Sequence, residues 1–167
     1  MQDGRKRAVI ENVQPMVDGG RFPAKRAVGE KVKVFADVFV DGHDRLSVRL
    51  HYRHNYGPWR TVPMQAKVND RFEGAFVVEE VGSCQIAVEA MADRFRTWLE
   101  GLVKKHRAGK DTAAELADGA SLVARTAARA EGAEAGALDH FAARLGVEDA
   151  ADALAAALDD ELSRLMD

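Results

Sequence analysis

The spacing of apolar residues changes once along the chain, near Asp93, and that change excludes any uniform fold. Before it, apolar residues recur at every second position, the pattern of half-buried strands; after it they recur at three and four, the pattern of helices. The alternation is clearest at 46–53, where Leu46, Val48, Leu50 and Tyr52 share one face and Ser47, Arg49, His51 and Arg53 the other. Further strands are predicted at 9–13, 31–40, 59–68, 72–78 and 84–91. Asp41-Gly42, Gly57-Pro58 and Asn69-Asp70 supply turn chemistry between them, because Gly accepts positive φ and Asp or Asn can bond its own backbone. Six short strands without intervening helices imply antiparallel pairing in an immunoglobulin-like β-sandwich.

Beyond Asp93, Phe95, Trp98, Leu99 and Leu102 fall on one side of a helix. Thr112-Ala113-Ala114-Glu115 fits a capping box for the next, which carries Leu116, Ala120, Val123 and Ala127 inward. A third holds Leu138, Phe141 and Leu145 and is stopped by Gly146 in left-handed geometry. A last helix carries Leu154, Leu158, Leu162 and Leu165. Alanine favours these helices but buries little area, so their apolar stripes are expected to be completed by the sandwich, a second copy or another domain. The expected class is α+β, with a sandwich at 1–92 and an alanine-rich α-helical bundle at 93–167. Their formal charges are +2 and −5.

Composition narrows the function. A net charge of −3 with 31% charged residues excludes a polybasic nucleic-acid arm. No apolar run reaches the roughly 18 residues of a membrane helix. The N-terminus, Met1 to Arg7, lacks a secretory core, so a cytoplasmic location is expected. A chain of 167 residues is too short for a (β/α)₈ barrel, which needs about 250.

No motif for catalysis stands out. His51 and His54 differ by an odd number of positions and point oppositely on a strand, so they do not chelate together, and the five histidines read as surface or turn residues. The single Cys84 sits in an apolar alternation, reads as a small buried hydrophobe and has no base placed beside it. Val17 to Pro23 matches neither phosphate-loop pattern and reads as a structural turn. Arg5-Lys6-Arg7 and Lys104-Lys105-His106-Arg107 read as solvated or interface charges. Glu79-Glu80 and Asp159-Asp160-Glu161 are neighbours that do not face one another, so neither is an acid/base dyad. No catalytic residue, metal or cofactor is expected. Tyr52, Tyr56, Trp59 and Trp98 offer flat faces on which sugars could stack; Trp98 belongs to a helical core stripe, which leaves Tyr56 and Trp59 as candidate sugar-binding residues.

Seven segments in order carry a resemblance: Val9-Ile10-Glu11, Pro15 to Arg26, Val28-Gly29-Glu30, Ala36 to Phe39, Asp41 to Asp44, Asn69 to Gly74 and Asp93 to Trp98. Together they resemble the N-terminal region of α-1,4-glucan:maltose-1-phosphate maltosyltransferases over roughly residues 7–120, with the alanine-rich remainder matching as a helical insertion of variable sequence. Met91 departs from the pattern, where the family leads one to expect Trp. The resemblance implies a bacterial glycogen-pathway enzyme of the α-amylase superfamily that transfers maltosyl units with retention of configuration. It further implies a sandwich with a helical insert preceding a catalytic barrel, both contributing to a homodimer. The family's reacting groups lie in the barrel, so none carries onto these residues. The chain is thus expected to be a non-catalytic accessory and dimerisation region that stops within the insert, with itself and the missing barrel as partners. The alternative is a carbohydrate-binding module.

Overall fold

The computed structural model describes residues 8–40 and 42–167; the Arg5-Lys6-Arg7 cluster and Asp41 of the Asp41-Gly42 turn lie outside the described residues. The chain divides into two compact units, Met1–Asp93 and Arg94–Asp167.

The first unit contains β1 (Val9–Gln14), β2 (Lys31–Phe39), β3 (Arg45–His54), β4 (Arg60–Pro63), β5 (Gln65–Ala66), β6 (Arg71–Val77) and β7 (Cys84–Asp93). They form two antiparallel sheets, one ordered β1-β2-β6-β5 and the other β4-β3-β7. Period-2 alternation sends Val32, Val34, Ala36 and Val38 of β2 and Phe72 and Phe76 of β6 into a core shared with Val48 and Leu50 of β3. Gly74 of β6 lies opposite Val34, and a Cβ there would come within 3.0 Å of Met64 Cγ and 3.2 Å of Leu50 Cδ2. Its missing side chain lets the facing strand approach.

The single strand expected at 59–68 is two. Residues 60–63 pair with β3, whereas residues 65–66 pair with β6 in the other sheet. Between them Met64 is buried in the shared core and its amide bonds Val48 O at 2.8 Å. The chain therefore changes sheets at Met64, directly after Pro63, which has no amide to continue a ladder.

The second unit contains α1 (Arg94–Arg107), α2 (Ala113–Ala127), α3 (Gly132–Leu145), α4 (Ala150–Ala157) and α5 (Asp160–Met166). Phe95, Leu102, Leu116, Val123, Leu138, Phe141, Leu145 and Leu162 are buried together with four alanines, and Trp98, Leu99 and Leu154 pack against them. The helical stripes thus pack largely on one another; Val147 and Leu158 are the large apolar residues left exposed among the unit's described residues.

Three local expectations fail here for identifiable reasons. The capping box does not form: Thr112 makes no cap bond, Asp111 Oδ1 accepts from Ala113 N at 3.0 Å, and the Glu115 carboxylate is taken by Lys105. Gly146 caps α3 at φ −91°, not in the left-handed region. The last helix is broken, because Asp159 accepts from the Glu161 amide at 2.9 Å and starts α5, which leaves Leu158 52% exposed.

Candidate functional site

The turn after β3 is built by Asn55 and Tyr56, not by Gly57-Pro58 as expected. Both have positive φ, 44° and 61°, and Gly57 N bonds His54 O at 2.7 Å, which closes a type I′ turn. Asn55 is fastened to the opposite loop: Ser83 N donates to its Oδ1 at 2.9 Å, and its Nδ2 donates to Val81 O at 3.2 Å. That grip leaves Tyr56 in a conformation rarely adopted by bulky residues, with the residue 73% exposed.

Trp59 stands just before β4 and is 47% exposed. The Arg53 guanidinium lies 4.5 Å from the Trp59 ring centroid and 5.6 Å from that of Tyr56, so the structure gathers the two candidate residues around one cation. Gln85, directly across from Arg53 on β7, accepts from Arg53 Nε at 2.7 Å and fixes its plane. Among the described residues Arg53 meets no carboxylate. Arg53 and Gln85 escaped the sequence reading because only the β3–β7 register makes them neighbours; alternation along β3 already placed Arg53 on a polar face.

One step along that face, His51 Nδ1 lies 2.8 Å from Thr61 Oγ1 and its Nε2 lies 3.1 Å from Glu89 Oε2. His54 faces the other way, against Tyr52 and Phe76 with ring centroids 6.0 and 6.2 Å away. Its Nε2 is buried without a partner among the described residues, although the residue is half-buried as a whole and its carbonyl opens the turn at 54–57. The alternation that separates it from His51 also tucks it between the sheets.

Cys84 is exposed, against the expectation of a buried hydrophobe, because it opens β7 at the end of the sheet. Partial burial nevertheless disfavours the thiolate and pushes the thiol above the ordinary range, and a hydrogen bond with the Arg53 backbone opposes this to a smaller extent. It borders a cavity of about 560 Å³ beneath residues 15–26, lined also by Pro15, Met16, Phe22, Val32, Phe76 and Ile86. Within that lining Arg26 supplies the cation, and its Nε is 3.2 Å from Glu30. The glycine turn of this segment is real: Asp18, Gly19 and Gly20 have positive φ, and Val17 and Phe22 bridge across it.

Members of the remaining charge clusters form ion pairs. Glu79 bonds Arg60 at 2.6 Å, Lys104 lies 3.5 Å from Glu100, and Lys105 meets Glu115. Among the described residues no three His, Cys, Asp or Glu side chains converge as a metal site would require, and no helix is long and apolar enough to cross a membrane.

A family model for domain N/S of alpha-1,4-glucan:maltose-1-phosphate maltosyltransferase matches residues 6–167. Proteins of that name are similar to the chain: 42% identity over 165 residues in Chlorobaculum tepidum, covering 98% of this chain and 25% of the relative. The protein from Myxococcus xanthus is 40% identical over 163 residues, covering 92% and 24%, and that from Methylacidiphilum infernorum 43% over 122 residues, covering 72% and 18%. The chain therefore spans about a quarter or less of the length of these curated relatives. With the match running through both its strands and its helices, the chain belongs to the alpha-1,4-glucan:maltose-1-phosphate maltosyltransferase family and corresponds to the N-terminal part of its members.

Proposed function

We propose that the chain is a non-catalytic accessory and dimerisation region of a cytoplasmic maltosyltransferase that extends α-1,4-glucan from maltose 1-phosphate in glycogen synthesis. The observation that carries this reading is the match of residues 6–167 to domain N/S together with the quarter share of the relatives' length. In this reading the two sheets are an immunoglobulin-like sandwich, the helices a bundle, and the reacting groups belong to a barrel elsewhere in the enzyme. Support for self-association lies in the first unit, where Met16, Val17, Phe22 and Val28 expose apolar side chains beside the cavity under residues 15–26. The helical unit, whose stripes are internally satisfied, contributes less.

Light scattering of the purified chain tests the assembly: a dimer is expected, and Phe22→Asp shifts it to monomer. A wild-type chain that stays monomeric at high concentration overturns the dimerisation role. Incubation with maltose 1-phosphate and a glucan acceptor is expected to release no phosphate, and release would overturn the non-catalytic reading.

A second reading, glucan binding at Tyr56 and Trp59, is favoured by the exposure of both rings and by the backbone strain that holds Tyr56 outward. Maltooligosaccharides are expected to quench tryptophan fluorescence, and Trp59→Ala to remove the response. A silent wild-type titration dismisses it.

A further inference from the structure

The β4-β3-β7 sheet keeps one face out of the core. Leu46 and Tyr52 of β3 and Ile86, Val88 and Ala90 of β7 pack inward beside Val48 and Leu50, so alternation turns Arg49, His51 and Arg53, and Gln85, Ala87 and Glu89, to the opposite face. Register arranges them in rows: Gln85 opposite Arg53, Ala87 opposite His51 and thence Thr61, Glu89 opposite Arg49. Successive rows lie about 6.8 Å apart along a strand.

The chemistry of this surface is that of a polyhydroxylated ligand. A protein-docking face presents a desolvated apolar centre, whereas here amide, imidazole, hydroxyl, carboxylate and guanidinium groups surround the exposed Ala87, and the exposed Met91 lies at the far end of the same row, opposite Ser47. With the imidazole neutral, His51 Nε2–H donates to Glu89 and Nδ1 accepts from the Thr61 hydroxyl, which leaves the second Glu89 oxygen and the Thr61 lone pairs as acceptors. Arg53 and Gln85 retain N–H donors beyond the bond they share. Arg53 covers one side of the Trp59 ring, and the residue's 47% exposure fits a second side open to solvent.

We infer that this face binds a linear α-glucan in two adjacent subsites. In the first, a sugar stacks on the open side of Trp59 and is held by Arg53 and Gln85. In the second, the next sugar lies over Ala87, whose small side chain leaves a dip on this face, beside the hydrogen-bonded His51–Glu89 pair. The inference rests on the second reading above and adds residues 51, 53, 85, 87 and 89 to it.

Calorimetric titration of the full chain with maltoheptaose tests it, using Trp59→Ala, Gln85→Ala and Ala87→Leu, with thermal melting as a check on folding. Gln85→Ala is expected to weaken binding roughly threefold to tenfold by removing one hydrogen-bonding group. Ala87→Leu fills the dip and is expected to weaken binding by about tenfold or more, the scale of overpacking a close contact. If Trp59→Ala abolishes binding while Gln85→Ala and Ala87→Leu, both folded, bind as the parent does, the two-subsite face is wrong and the ring platform survives. If the parent chain does not bind maltoheptaose, both fall. If Ala87→Leu instead lowers the oligomeric state and leaves maltoheptaose affinity unchanged, the face is a protein interface and the inference is overturned.

Discussion

Tyr56 shows how a single backbone angle can set a side chain's role. Left-handed geometry costs an ordinary L-residue roughly 1–2 kcal/mol, and Asn adopts it more readily than Tyr. Tyr56→Asn is therefore expected to stabilise the first unit by about 1 kcal/mol in urea unfolding while weakening maltooligosaccharide binding. A variant that loses stability would show that the ring's contact with Arg53 outweighs the strain. Asp152 argues the opposite balance. Its carboxyl is held below the usual carboxylate range, chiefly by the hydrogen bond from Arg144 Nη2 at 2.6 Å. A lowered folded-state value stabilises the fold above the ordinary carboxylate range and is lost as pH falls through that lowered value. Asp152→Asn should therefore reduce stability at about pH 7 and converge with the parent well below about pH 4, which urea melts at both pH values would read.

At the scale of elements, α1 and α2 meet through an aromatic ring and a glycine. Gly119 is buried in α2, a Cβ there would overlap the Trp98 indole, and Trp98 Nε1 donates to Glu115 O at 2.6 Å. Gly to Ala inside a helix ordinarily stabilises by up to about 1 kcal/mol. Here the ring is anchored through its Nε1 hydrogen bond, so Gly119→Ala is expected to destabilise the helical unit by about 1–3 kcal/mol, read by the loss of helical circular dichroism on heating. The Leu154, Leu158, Leu162 series illustrates a related competition. Its spacing is helical throughout, yet Asp159 wins as a cap because its side chain satisfies a helix-start amide, and acidic residues 160 and 161 then favour the new N-terminus. The run Asp159-Asp160-Glu161 was the available sequence signal for that break.

At the scale of the whole molecule, the two units hold separate cores. The helical unit's buried set comes wholly from residues 95–162, and the strand unit's from 32–76. A fragment covering 94–167 is expected to melt cooperatively on its own, and Leu102→Ala within it to cost about 2–5 kcal/mol. A gradual, featureless melt would show that the helices need another surface. Such self-sufficiency argues that exposed apolar residues of the first unit, more than the helices, are the place to seek a partner.

Periodicity by itself determined that strands come first and helices follow, and most of the residues that face inward, Leu158 and Cys84 at element ends excepted, because those relations are local: positions i and i+2 on a strand, or i and i+4 on a helix, stand in fixed geometry as long as the element continues. The segments quoted for the family were legible for the same reason, as residues in order. Tertiary structure alone decided the rest. The sheet change at Met64, the turn that throws Tyr56 outward and the meeting of Arg53 with Gln85 and Trp59 each depend on which distant strand lies alongside and in what register. Register is settled by the packing of both sheets at once, so residues 32 positions apart, such as Arg53 and Gln85, become one site only when the chain has folded.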